Sequence, residues 1–179
     1  MKKWLTVAIF LLAAGAVFGQ DFTFQGLPWG STREQIIAKL GQPANSSSGY
    51  LIYFVTISGY KARLHIDLDN DGMGYSSYTI GVFRDLNASQ IKIAFLTLLR
   101  QLEEKYGPYN ELITADDLKS IQRNESLIIW HFNNFHIMVS PVENDSTFEI
   151  TYWSDTIWNI FEEENIKAYK TLRIPNNGL

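Results

Sequence analysis

Residues 50–68 read YLIYFVTISGYKARLHIDL, and a two-residue turn at Ser58-Gly59 splits them into two matched strands. Side chains alternate across a strand with period two, so the turn position fixes which residues share a face. With that turn, Ile57 stands opposite Tyr60, Val55 opposite Ala62, Tyr53 opposite Leu64 and Leu51 opposite Ile66. This face is wholly apolar or aromatic. The other face pairs Thr56 with Lys61, Phe54 with Arg63 and Ile52 with His65. The first set belongs to a core, and an antiparallel sheet with one buried face needs helices to cover it.

Upstream, Ser31-Thr32-Arg33-Glu34 reads as a capping box, with Ser31 as the N-cap and Ile36, Ile37 and Leu40 on one helical face. Gly41 and Pro43 stop that helix. Downstream of the hairpin, the turn Asp69-Asn70-Asp71-Gly72 leads to a third strand near Tyr75 to Phe83, with Tyr78, Ile80 and Val82 facing inward. The order then recurs. Asn87-Ala88-Ser89-Gln90 opens a helix whose apolar side is Ile91, Ala94, Phe95, Leu98, Leu99, Leu102 and Tyr106, and Gly107-Pro108 ends it. After a polar loop from Tyr109 to Glu125, residues 127–140 read LIIWHFNNFHIMVS, a second hairpin with Asn133-Asn134 at its tip. Asparagine tolerates the left-handed torsions that such a tip needs. Phe132 then faces Phe135, Trp130 faces Ile137 and Ile128 faces Val139, and a strand from Thr147 to Trp153 points Phe148, Ile150 and Tyr152 inward.

The expected fold is therefore α+β: two tandem helix-plus-three-strand repeats, residues 20–85 and 86–154, forming an antiparallel sheet with helices on one face. Residues 155–179 supply a C-terminal helix, opened by Asp155 or Thr156, and a tail. Residues 1–19 read as a signal peptide. Lys2 and Lys3 precede an uncharged apolar run from Trp4 to Val17, too short to span a bilayer comfortably, and Val17-Phe18-Gly19 fits the small-residue cleavage rule. Ala14-Gly15-Ala16 is a second cleavage site, and a retained anchor helix is the competing reading. The expected location is periplasmic or secreted. There is no cysteine, which excludes both disulfides and a lipidated N-terminal cysteine.

Loss of Lys2 and Lys3 takes the net charge from −4 to −6. A mildly acidic chain without basic clusters is poorly suited to phosphate backbones, so no nucleic-acid partner is expected. No stretch after the signal is long and apolar enough to cross a membrane.

The motifs Phe24-Gln25-Gly26-Leu27-Pro28-Trp29-Gly30-Ser31 and Leu40-Gly41-Gln42-Pro43, with Lys105-Tyr106-Gly107-Pro108, Trp130 and Ile150-Thr151-Tyr152, cover most of the mature chain. In these the chain resembles a group of uncharacterised bacterial periplasmic proteins that open with an aromatic-Gly-x-Pro-Trp-Gly turn into a short helix. The order of helix, hairpin and strand, twice over, is similar to the tandem fold of β-lactamase inhibitor proteins. The first helix signature is similar to the small lipoproteins of the outer-membrane β-barrel assembly machinery. The chain departs from the lipoproteins in lacking the lipidation cysteine and from the inhibitors in lacking disulfides. The resemblance implies a fold and an envelope setting; it carries over no partner and no catalytic residue.

Few chemical motifs are present. Asp67, Asp69 and Asp71, followed by Gly72, match the first half of an EF-hand calcium loop, but the twelfth position is Tyr78 rather than a bidentate glutamate. An acidic β-turn is the competing reading. His131 and His136 stand opposite each other if Asn133-Asn134 is the turn, as the start of a transition-metal site or as two exposed hairpin histidines. There is no nucleophile elbow and no glycine-rich phosphate loop. No enzyme activity and no cofactor are expected.

The outer strand face is the most informative feature. Ile52, Phe54, Lys61, Arg63, His65, Ile129, His131, His136, Met138 and Trp153 make it aromatic, aliphatic and basic, where solvent-facing strands are usually rich in Thr, Lys and Glu. The expected function is a non-enzymatic envelope protein that contacts a macromolecular partner, an envelope protein, through this face. The alternatives are a carrier of a hydrophobic small molecule or lipid, and a calcium-dependent module at the Asp67–Gly72 turn. A C-terminal helix folded over the face would make these residues a second core layer.

Overall fold

The structure, a computed structural model, describes residues 23–113, 127–142 and 147–163. The expected signal peptide, most of the polar loop and the end of the C-terminal segment lie outside the described residues. Two short strands, β1 (Thr23–Phe24) and β2 (Leu27–Pro28), precede helix α1 (Arg33–Leu40). Strands β3 (Asn45–Ser47), β4 (Tyr50–Ile57), β5 (Tyr60–Asp69) and β6 (Gly72–Ile80) follow. Helix α2 (Ala88–Tyr106) then leads to β7 (Glu111–Ile113), β8 (Leu127–His131), β9 (Phe135–Val142), β10 (Thr147–Ser154) and helix α3 (Asp155–Phe161).

The chain is α+β. Strands β3 to β10 form one eight-stranded sheet in the order β3-β4-β5-β6-β10-β9-β8-β7, with every pairing antiparallel. Each strand series runs from an edge to the centre, where β6 meets β10. Among the described residues, α1 and α2 are each followed by four strands of the sheet rather than three. The additional ones, β3 and β7, are three-residue edge strands, too short for their alternation to show in a sequence.

The first hairpin has the expected register, from Leu51 opposite Ile66 to Ile57 opposite Tyr60. Its tip needs left-handed torsions, and both residues supply them: Ser58 has φ +49° and Gly59 φ +85°. The second hairpin also has the expected pairs, with Trp130 opposite Ile137 and His131 opposite His136. Its tip departs from expectation, since neither Asn133 nor Asn134 takes a positive φ. A 3.0 Å bond from the Phe132 amide to the Phe135 carbonyl and the stacked rings of these two residues, 4.3 Å apart, close it. The third strand of the first series ends earlier than expected, at Ile80, because the chain turns at Gly81 with φ +88°. Val82 and Phe83 are therefore not strand residues.

The first helix is capped one residue later than the sequence suggests. Thr32 accepts from the Gln35 amide and Gln35 reaches back to the Thr32 amide, which satisfies two otherwise orphan donors. Ser31 instead donates its hydroxyl to the Pro28 carbonyl, 2.7 Å away. Asn87 and Gln90 form the same reciprocal cap at α2, as expected.

The main core lies between the inner sheet face and helices α1 and α2. Ile36, Ile91, Ala94, Leu98 and Leu102 meet Leu51, Leu64, Ile66, Ile80, Trp130, Ile137, Phe148 and Ile150. The Trp130 indole is wholly buried and donates to the Gly107 carbonyl at the end of α2, 2.9 Å away. The Pro-Trp-Gly turn has a structural role here. The Gly30 amide donates to the Met73 carbonyl at 2.9 Å and the Met73 amide to the Ser31 carbonyl at 3.0 Å. This clasp places the Gly30 carbonyl oxygen 2.4 Å from where a Cβ on Gly72 would stand, and Gly72 has φ +97°. Only glycine fits both demands.

The third helix is the expected C-terminal one, and it takes the covering position that is the alternative to an open outer face. It lies on the outer face, against β9, β10 and β6. Between β5 and β6 the register slips, leaving Gly74 as the additional residue of a bulge. A Cβ there would meet the Ile157 Cγ1 of α3 at 2.8 Å, so the bulge glycine makes room for the helix.

Candidate functional site on the outer face of the sheet

Among the described residues, helix α3 divides the outer face into a half that it covers and a half that it leaves open. On the covered half, Trp158 is 1% exposed and packs with Ile113, Ile129 and Met138, flanked by Leu127, Trp153 and Phe161. Ile129 is fully buried, and Met138 and His136 are each 7% exposed. These three candidate surface residues are corrected to a second core layer. The Ser154 hydroxyl accepts from the Ile157 amide, turning the chain directly from β10 into a helix over its own sheet. Trp153 is half-buried between Tyr75 at 4.5 Å and Phe161 at 4.8 Å, with its indole N–H on the Thr151 hydroxyl at 2.9 Å.

The open half is built on β4, β5 and β6. Phe54 is 46% exposed and meets the half-buried Phe83 edge to face at 5.2 Å. Ile52 is half-buried beside it on the same strand face. The basic row of β5 runs alongside. Lys61 pairs with Asp85 at 3.0 Å, and His65 lies 3.4 Å from Asp67. Arg63 donates through Nη2 to the Thr79 hydroxyl at 3.2 Å, and that hydroxyl donates to Glu149 at 2.7 Å. Among the described residues the Arg63 Nε has no hydrogen-bond partner. His65 lies between Tyr50, at 5.5 Å, and Tyr75, at 6.4 Å. Burial pushes the Tyr75 phenol up to about 12, so it is a neutral hydrogen-bonding group throughout the physiological range.

The Asp67–Gly72 segment forms an acidic turn between β5 and β6. Among the described residues no group of three or more His, Cys, Asp or Glu side chains is placed to hold a metal ion. Asp67, Asp69 and Asp71 are used otherwise: Asp67 faces His65, and Asp69 accepts the Asp71 amide at 2.8 Å, the local bond of an acidic turn. Gly72 serves the Gly30 clasp.

The two hairpin histidines are brought together, with 2.9 Å between their Nδ1 atoms. Each also meets a carboxylate that the sequence did not single out. His136 Nε2 lies 2.9 Å from Asp155 and His131 Nε2 lies 3.4 Å from Glu111. Burial holds the His136 imidazole below the usual histidine range, and Asp155 partly opposes that. Asp155 is the first residue of α3, and the sequence signal for it was the Ser154-Asp155 helix start. Glu111 sits on a three-residue strand with no such signal.

Among described residues no helix is long and apolar enough to cross a membrane. No family model matches the chain, and no curated protein matches it. It is similar to the crystal structure of a DUF4309 family protein, YjgB, from Bacillus subtilis subsp. subtilis str. 168, at 15% identity over 75% of this chain and 88% of that one, with a TM-score of 0.46. A likeness at this level carries nothing about function to this chain.

Proposed function

We propose that the protein is a non-catalytic binding protein of the bacterial cell envelope, exported by the segment before Gln20. It contacts a protein partner through the half of the outer sheet face that α3 leaves open. The observation that carries this reading is the exposed Phe54, set beside Ile52, Phe83 and Arg63 on one sheet surface. Leaving a large apolar side chain in water forgoes about 1.5–3 kcal/mol of burial, and an aromatic next to arginine is the composition of energetic centres at protein interfaces. Arg63, held through Nη2 by the Thr79 hydroxyl, fits a partner that brings a carboxylate beside its apolar anchor. The resemblance to periplasmic proteins and the export signal supply the setting.

The test is affinity capture from envelope extract with wild type and with a Phe54→Ser, Arg63→Glu double variant, both confirmed folded by circular dichroism. Trp153 is left intact because it packs against α3. The reading expects a partner captured by wild type and lost by the variant. Equal capture by both removes the open face as the binding surface.

A further inference from the structure

The covered half of the outer face holds a second arrangement that the proposed binding surface does not use. His131 ends β8 and His136 lies on β9, directly opposite, so their side chains share one face. Their Nδ1 atoms are 2.9 Å apart. Their Nε2 atoms point the other way, at Glu111 of β7 (3.4 Å) and Asp155 of α3 (2.9 Å). An ionised carboxylate only accepts, which favours the tautomer with its hydrogen on Nε2 in each ring. In that tautomer the two Nδ1 lone pairs face each other at hydrogen-bond distance. Such a pair suits a cation between them, a proton or a metal ion, where the other tautomer of His131 would give a plain neutral hydrogen bond.

We propose that the two Nδ1 atoms are ligands for a transition-metal dication of the zinc class. Three observations favour a metal seat over a merely shared proton. Both outer nitrogens face carboxylates, His136 at 2.9 Å and His131 at a longer 3.4 Å, the arrangement that sets the tautomer and raises the basicity of metal-bound histidine. Both rings are held in place before any ion arrives: the Trp158 indole stacks on His136 at 4.6 Å and 18°, and meets His131 edge-on at 5.4 Å. The spacing is also close to what is needed. Tetrahedral zinc at its usual distance from nitrogen spans two ligands roughly 3.3 Å apart, a small opening from the present separation. His136 is buried and His131 half-exposed, so the remaining coordination positions open towards the solvent side of His131 and are filled by water. Imidazole donors select zinc, copper or nickel and not calcium or magnesium. When the metal enters, any proton bridging the two Nδ1 atoms leaves to solvent, and the ion ties the β8–β9 hairpin to α3 through Asp155.

The experiment titrates zinc chloride into the chelator-stripped full chain, read by calorimetry and by histidine side-chain nitrogen NMR. The expected result is a stoichiometric event that moves the Nδ1 signals of His131 and His136 and leaves His65 in place. His131→Gln and His136→Gln weaken binding at least tenfold. Asp155→Asn weakens it by about tenfold or more, as loss of such a supporting carboxylate does. Calcium chloride at the same concentrations produces no event. His131→Gln, at the half-exposed position, serves as the decisive variant if His136→Gln does not fold. The proposal is overturned if millimolar zinc leaves both Nδ1 signals unmoved, the signature of a shared proton only, or if His131→Gln binds zinc as wild type does.

Discussion

Trp130→Ala removes the largest fully buried side chain of the main core. The indole sits on β8, opposite Ile137, and joins the sheet to the end of α2 through its bond to the Gly107 carbonyl. Three costs combine. The variant has no indole to remove from water on folding, so that transfer free energy is lost. A cavity remains between sheet and helix, and the carbonyl at the helix end loses its donor. Tryptophan-to-alanine changes in such settings cost about 3–5 kcal/mol, and the total here is expected in the upper part of that range. Trp130→Phe separates the contributions. It keeps most of the packing and deletes the N–H, so it should cost about 1–3 kcal/mol, the scale of an acceptor left without its partner. The assay is urea denaturation followed by far-ultraviolet circular dichroism. A loss under about 1 kcal/mol for Trp130→Ala would refute the assignment of the inner face.

Other outcomes follow from local geometry. Gly72→Ala should destabilise by several kcal/mol, because a Cβ would stand 2.4 Å from the Gly30 carbonyl oxygen at φ +97°, whereas backbone strain alone costs about 1–3 kcal/mol. Gly74→Ala meets a side chain rather than backbone, so it should speed hydrogen exchange in α3 while leaving the main transition nearly unchanged. Thr32→Ala and Asn87→Ala should each cost about 0.5–2 kcal/mol by removing a helix cap, measured by chemical denaturation. On the alkaline side, burial raises the phenols of Tyr75 and Tyr106, each to about 12. Native tyrosine then holds its proton more tightly than the unfolded chain, so stability falls as pH rises above the ordinary value of about 10 towards 12. Tyrosinate absorbance should appear together with unfolding; full ionisation of all tyrosines in the folded protein below pH 11 would contradict this burial.

The parts of the fold that were legible are those with a long repeating signal. Each hairpin presents several alternating pairs, and a one-residue slip would have exchanged its faces, so both registers could be assigned from the pattern. Helix α2 shows its apolar stripe over five turns. The signals that failed are short or compete. Ser31 and Thr32 are both cap-forming types, and Thr32 takes the first helix because Ser31 is held by the Pro28 carbonyl beside the clasp with Met73. The strand after Gly72 reads as running past Ile80 because Val82 and Phe83 continue the alternation, while Gly81 turns the chain. The period-two alternation places the candidate surface residues of both hairpins on one sheet face, as the register has them. Its division into an open and a covered half depends on where seven residues after Ser154 lie, a tertiary fact with no period in the sequence. Glycine 74 was the local trace of that contact, but a glycine in a strand signals only close approach and does not say what approaches.

Photo-crosslinking from the sheet surface tests the central claim most directly. A benzophenone amino acid is placed at position 54 on the open half and, for comparison, at position 96, an exposed apolar position on the outer side of α2. The proteins are made in the native host, irradiated in intact cells, and the adducts are identified by mass spectrometry. Position 54 is expected to give a specific adduct with an envelope protein that excess purified wild type competes away, and position 96 is expected to give none of it. The same adduct from both positions, or no adduct from position 54 with the protein folded and exported, would contradict binding through the open half of the outer face.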